Sequence, residues 1–217
     1  VRQIYHESDP AWSVGSQEKN LGLIWIRGGD AFIVISEKDG WRHAFLHSRD
    51  GKELSLLTPG DYDIIDRAVV DEQAGWFYFY ASPENGTQKY LYRVPLDGSG
   101  TLKRITPADQ PGTHHYDFSP NARWAFHSWS TFDRPPIVEL VELPNHRSVR
   151  VLEDNRKLGK KMEQLVTSPT EFFEIMVDGV AMDAWMIKPK NFDEAKKYPV
   201  LVYVYGEPYA KTVLDQW

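Results

Sequence analysis

Cysteine is absent from this sequence. That excludes disulfides and thiolate metal sites, and it leaves the compartment open, because many exported proteins also lack cysteine. No apolar run approaches the roughly 20 residues of a membrane-spanning helix. Positive charge is scarce too: 25 Lys and Arg stand against 31 Asp and Glu, a formal net charge of −6 spread along the chain. A nucleic-acid partner therefore has no electrostatic support. Gly28-Gly29-Asp30 and the glycines at 98 and 100 lack the strand–loop–helix setting of a phosphate cradle. Residue 1 begins in mid-pattern with no signal peptide, so the expectation is a piece of a longer protein.

What is plentiful is aromatic: 13% of residues, with 8 Trp and 11 Tyr, inside a 41% hydrophobic composition. That supplies a core and leans towards β structure. The first 155 residues repeat themselves. The stretch from Ser48 to the pair Thr58-Pro59 aligns with the stretch from Leu96 to Thr106-Pro107, and Gly29 to Ser36 aligns with Gly75 to Ser82. A third copy runs through Pro120 to Ser128, Ile137 to Leu143 and Val149 to Leu152. A period in the mid-forties, built from short segments alternating with period 2, is the mark of propeller blades. In the second copy Trp76 to Ala81, Lys89 to Pro95 and Thr101 to Ile105 are expected strands, with turns at Asn85-Gly86 and Asp97-Gly98. Ile4 to Trp12 reads as an incomplete further blade. The sequon Asn85-Gly86-Thr87 is explained by its turn alone. Three to four blades leave strand edges open, and those edges are expected to be exposed.

From Leu158 the texture changes. A short polar connection around Lys160 precedes two alternating runs, Thr170 to Val177 and Ala181 to Lys188, joined by Asp178-Gly179. A charged loop follows, and then Val200 to Tyr205, six apolar or aromatic residues bounded by Pro199 and Gly206. Such a run predicts a strand buried on both faces, with Tyr205 at its C-terminal end, the edge where open α/β sheets bind ligands.

The segment from Asp193 through Tyr198-Pro199 to Tyr205-Gly206-Glu207-Pro208 resembles the entry into the catalytic domain of the prolyl oligopeptidase family of serine peptidases. It is most similar to the dipeptidyl peptidase IV branch and its bacterial prolyl tripeptidyl relatives, and the hairpin Gly40-Trp41-Arg42-His43 resembles propeller hairpins of the same branch. The resemblance implies a mainly β chain: a partial propeller over 1–155, then over 156–217 a connection, a hairpin and the first strand of an α/β-hydrolase domain. It implies a parent enzyme that removes N-terminal di- or tripeptides after proline through an acyl-enzyme, with the propeller gating access. The expected partner is a peptide substrate, a homodimeric parent is allowed, the expected compartment is periplasmic or secreted with a cytoplasmic one left open, and no cofactor is expected. By the same resemblance Tyr205 donates its phenol hydrogen to the oxyanion. Glu207 departs from the family, which carries Gly there, and adds negative charge beside that oxyanion. The family's substrate-binding Arg would align near Gln17-Glu18 and is not carried over.

A serine hydrolase also needs a nucleophile elbow, an acid and a histidine. No Gly-x-Ser-x-Gly occurs in these 217 residues, so the chain by itself is expected to be inert. Among other candidates, His43 and His47 share one face of a strand too far apart to chelate, and no metal site is expected. His114 and His115 point opposite ways and are expected along an exposed blade edge. The alternation of Trp76, Tyr78 and Tyr80 predicts packing between blades, and Lys196-Lys197 a solvated loop. Two other readings stay open: a propeller module that binds without catalysis, and an acylaminoacyl peptidase or oligopeptidase on the same scaffold.

Overall fold

Short alternating runs punctuated by Gly, Asn and Asp can satisfy their backbone only by pairing with the next run, and antiparallel meanders result. The structure is a computed structural model describing residues 2–10, 22–165, 168, 170–206 and 211–217. Three four-stranded meanders follow one another. The first is β1 (Ile24–Ile26), β2 (Ala31–Ser36), β3 (His43–Ser48) and β4 (Glu53–Leu56); the second is β5 (Ile64–Asp71), β6 (Trp76–Ala81), β7 (Tyr90–Pro95) and β8 (Lys103–Arg104). The third is β9 (Thr113–Phe118), β10 (Trp124–Thr131), β11 (Arg134–Glu142) and β12 (Arg147–Glu153). In each sheet the strand order is the chain order, as in propeller blades.

The repeat read from the sequence is a repeat of hydrogen bonds. Arg49, Leu96 and Leu143, each 47 residues after the last, donate their N–H to Asp30, Gly75 and Arg123. The recurring Thr-Pro pairs have a physical reason as well. Thr58 and Thr106 are buried, and their hydroxyl oxygens accept the N–H of Ala44 and Leu91, each at 2.9 Å. Each threonine thus supplies a partner that the short fourth strand does not reach. Between blades, Ile64 N–H donates to Arg42 O (2.8 Å) and His114 N–H to Lys89 O (3.0 Å), tying each new first strand to the hairpin before it.

Burial explains why β6 is aromatic throughout. Phe77 and Phe79 face the first blade, joining Ile33, Leu46, Leu57 and Tyr92. Tyr78 and Tyr80 face the third, joining Leu91, Ile105, Tyr116, Ala125 and Val141. A sheet covered on both sides needs large apolar side chains at every position, each worth about 1.5–3 kcal/mol when buried. The expected packing of Tyr78 and Tyr80 between blades is therefore observed. Residues 2–10 form no strand; they cross the far face of the first blade, where Tyr5 meets Phe32 at 6.5 Å and His47 at 5.3 Å. Trp12 lies outside the described residues. The open edge is conspicuous at β12, all seven of whose residues are exposed.

After the blades come a helix and a hairpin. Arg156–Leu165 forms helix α1, where the sequence suggested only a polar connection. Asp154 accepts the Arg156 N–H at 3.0 Å, and Leu158, Met162 and Leu165 recur at helical spacing. The hairpin is as expected: β13 (Thr170–Val177) pairs with β14 (Val180–Ile187), and Asp178 and Gly179 both take positive φ, 50° and 84°. The expected strand at Val200 to Tyr205 is not formed. The segment has no strand pairing, and Leu201 is 96% and Val202 77% exposed. A strand buried on both faces needs a neighbour on each side, and no described strand runs beside this one.

Candidate functional site

Tyr205 stands at the end of that extended segment with 42% of its surface exposed, so its ring is not sealed in an interior. Glu207 and Pro208 lie outside the described residues, as do Gln17 and Glu18. Upstream the chain is braced by Phe192 stacked on Tyr198 (5.1 Å), whose hydroxyl accepts the Asp193 N–H at 3.0 Å. Downstream, residues 211–217 return to the blades and are moored there.

Asp215 makes the mooring. Its carboxylate accepts the Phe132 N–H (2.8 Å) and the Gln88 side-chain amide (2.7 Å), and its own N–H donates to Thr87 O (2.8 Å). Trp217 N–H donates to Ser130 Oγ at 3.2 Å, and Lys211 Nζ to Gly86 O at 2.5 Å. All of these partners lie on or beside the β6–β7 and β10–β11 hairpin tips of the second and third blades. The β13–β14 hairpin reaches the same place, with Phe132 packed edge-on against Phe172 (6.1 Å) and tilted against Trp185 (5.4 Å). Burial lowers the ammonium pKa of both Lys89 and Lys211 at this junction. Sequence reading missed the mooring, because contacts between residues 88 and 215 leave no local signature.

Sequence reading also misplaced a histidine. His115 is exposed, but His114 is fully buried, because β9 lies against the second blade and alternate residues face it. There His114 stacks on Trp129 (5.6 Å) and His127 (5.1 Å). The register pairs His127 with Tyr116 on one side and Glu139 on the other. A chain of short contacts results: Gln110 O to His114 Nε2 at 3.0 Å, His114 Nδ1 to His127 Nε2 at 2.9 Å, His127 Nδ1 to Glu139 Oε1 at 3.0 Å. Ser148 Oγ donates to the other oxygen of Glu139. His146 stands edge-on to His127, ring centres 4.7 Å apart. Burial pushes His114 down to about 2 and His146 to about 4, and it lowers His127 too. The 3.0 Å contact with His127 Nδ1 holds Glu139 below the usual carboxylate range. A signal was available: in Trp124 to Trp129 the buried Ala125 sets the inward parity, and His127 shares it while Phe126 does not.

The remaining candidates are structural. His43 is buried with Nδ1 2.9 Å from Asp39, and His47 stacks on Phe32 at 5.2 Å. Asn85 Oδ1 accepts both the N–H and the hydroxyl of Thr87, at 2.9 and 2.8 Å, which is the turn function read from its sequence. The innermost strands β1, β5 and β9 line an open groove of about 660 Å³, with Asp66, Arg67, His115 and Asp117 among its walls.

The comparisons agree with this architecture. The profile of the dipeptidyl peptidase IV (DPP IV) N-terminal region matches residues 1–136. The sequence is 33% identical over 187 residues to the "Probable dipeptidyl-aminopeptidase B" of Emericella nidulans, covering 85% of this chain and 20% of that protein. It is 31% identical over 191 residues to dipeptidyl-aminopeptidase B of Aspergillus niger, covering 86% and 21%. Among solved structures, Porphyromonas gingivalis dipeptidyl peptidase 4 superposes with a TM-score of 0.81 at 27% identity, over 90% of this chain and 27% of that one. The chain thus spans about a fifth of the length of the curated relatives it matches. With three consecutive blades, the family match over residues 1–136 and the shared fold, this chain belongs to the dipeptidyl peptidase IV N-terminal region family.

Proposed function

We propose that the protein containing this chain is a serine exopeptidase that removes N-terminal dipeptides or tripeptides after proline, and that this chain is its propeller-to-hydrolase junction. The nucleophile, acid and histidine come from residues outside this sequence. The observation that carries the reading is the mooring of residues 211–217 by Asp215, ten residues beyond Tyr205, on two blade tips. It keeps residues 211–217, which follow the Tyr205 segment in the chain, against the hairpin tips of the blades. The names of the relatives support a dipeptidyl peptidase. The groove along the innermost strands supports passage of an extended peptide, and with it the gating role of the propeller. In this reading the Tyr205 hydroxyl donates to the oxyanion of the tetrahedral intermediate, a bond that strengthens only as negative charge develops. An extracytoplasmic location and a homodimeric parent belong to the same proposal.

The test is Tyr205→Phe in the full-length protein, assayed on a Gly-Pro chromogenic substrate. Loss of one preorganised oxyanion donor predicts a fall in kcat of about a hundredfold to a thousandfold with KM nearly unchanged. Unchanged kcat removes Tyr205 from the mechanism.

A further inference from the structure

The buried cluster of the third blade contains one contact that neutral histidines and an ionised Glu139 cannot satisfy. The carbonyl of Gln110 only accepts, so His114 Nε2 carries a hydrogen and His114 Nδ1 is an acceptor. That acceptor faces His127 Nε2 at 2.9 Å, so the hydrogen between them belongs to His127. His127 Nδ1 is then left with a lone pair, 3.0 Å from an oxygen of Glu139. An imidazole lone pair facing an ionised carboxylate in a buried interior is repulsive, and a positive charge has to sit between them. An added proton would serve that contact alone.

A second observation points to something larger than a proton. His146 is only 8% exposed, and its Nε2 has no hydrogen-bond partner. One donor atom from each of His127, Glu139 and His146 lies within 4.8 Å of the other two. Buried orphan nitrogens are rare, and this one belongs to the ring whose centre lies 4.7 Å from that of His127. We propose that His127, Glu139 and His146 bind one divalent transition-metal ion of the zinc type. Two imidazole nitrogens and a carboxylate oxygen are a borderline donor set suited to zinc. Donors about 2.0–2.1 Å from zinc stand roughly 3.3 Å apart in a tetrahedral sphere, close enough to the observed spacings for side-chain adjustment alone. The remaining contacts become an outer shell. His127 Nε2–H donates to His114, His114 donates to Gln110, and Ser148 donates to the second oxygen of Glu139. The ion would join β10, β11 and the turn before β12, bracing the blade whose tip holds Asp215.

Full-length protein without a polyhistidine tag, stripped with chelator, is titrated with zinc chloride against a chromophoric competitor. Expected is one tightly bound zinc per chain and a Tm raised by several degrees. Affinity should fall at least tenfold in His146→Ala and stay unchanged in His115→Ala, whose ring faces the other way. Because a core variant can misfold, the wild-type protein is also read by long-range ¹H–¹⁵N NMR. Zinc should move the Nδ1 signal of His127 while its Nε2–H is retained. Stripped protein that takes up no zinc, His146→Ala that binds as well as wild type, or a His127 signal indifferent to zinc each overturns the proposal.

Discussion

Two threonines at equivalent places in the repeat show how much a single hydroxyl contributes. Thr58 Oγ accepts one backbone N–H, from Ala44. Thr106 Oγ accepts the Leu91 N–H and also meets the Tyr116 hydroxyl at 3.0 Å. Valine has nearly the same shape and no acceptor, so substitution strands the buried partners. Thr58→Val should cost about 1–3 kcal/mol and Thr106→Val more, as read from urea denaturation midpoints. Equal midpoints for the two variants would contradict the second contact. The Thr-Pro pairs were legible as a repeat; their work as backbone acceptors was not, because the partner lies about 14 residues away across the sheet.

Among the elements, the meander hairpins were legible because their turns and alternation are local. β6 was readable to the residue, and Asp178-Gly179 turned where its residue types require. Helix α1 was missed: Leu158, Met162 and Leu165 recur at helical spacing, but the stretch is short and polar and none of its side chains is buried. The entry to β9 shows an element held by close approach. Gly112 has φ of 124°, and a Cβ there would lie 2.2 Å from the Ser130 carbonyl oxygen. Gly112→Ala must separate β9 from β10 at that point. Gly75, with φ of 77°, has open space around the same atom. Both alanines carry backbone strain, of order 1–3 kcal/mol, but only Gly112→Ala adds a backbone clash. The expected outcome is a markedly lower Tm for Gly112→Ala than for Gly75→Ala in thermal denaturation; matching Tm values would mean the approach is not rigid.

For the whole molecule, the consequential contact is the one between the last described residues and two blades. Asp215 serves a backbone N–H, a side-chain amide and, through its own N–H, a carbonyl. Asp215→Ala removes both carboxylate bonds and leaves the blade cores untouched. The segment from Pro199 to Trp217 should then be cut at least several-fold faster in limited proteolysis, while the global unfolding midpoint moves little. Equal cleavage rates would show that the segment is held by other contacts.

Local chemistry determined much of this protein. Periodicity of 2, a mid-forties repeat and Gly-containing turns were enough for blades, because a meander closes its hydrogen bonds between neighbours in sequence. The Tyr205 segment could be read as a motif, but its setting could not: six apolar residues read as a buried strand become one only when neighbours flank them. Tertiary structure alone decided that Asp215 ties residues 211–217 to the blades, and that His114, His127, Glu139 and His146 meet in one buried place. Both depend on which strands lie side by side, and register across a sheet joins residues that spacing along the chain does not relate.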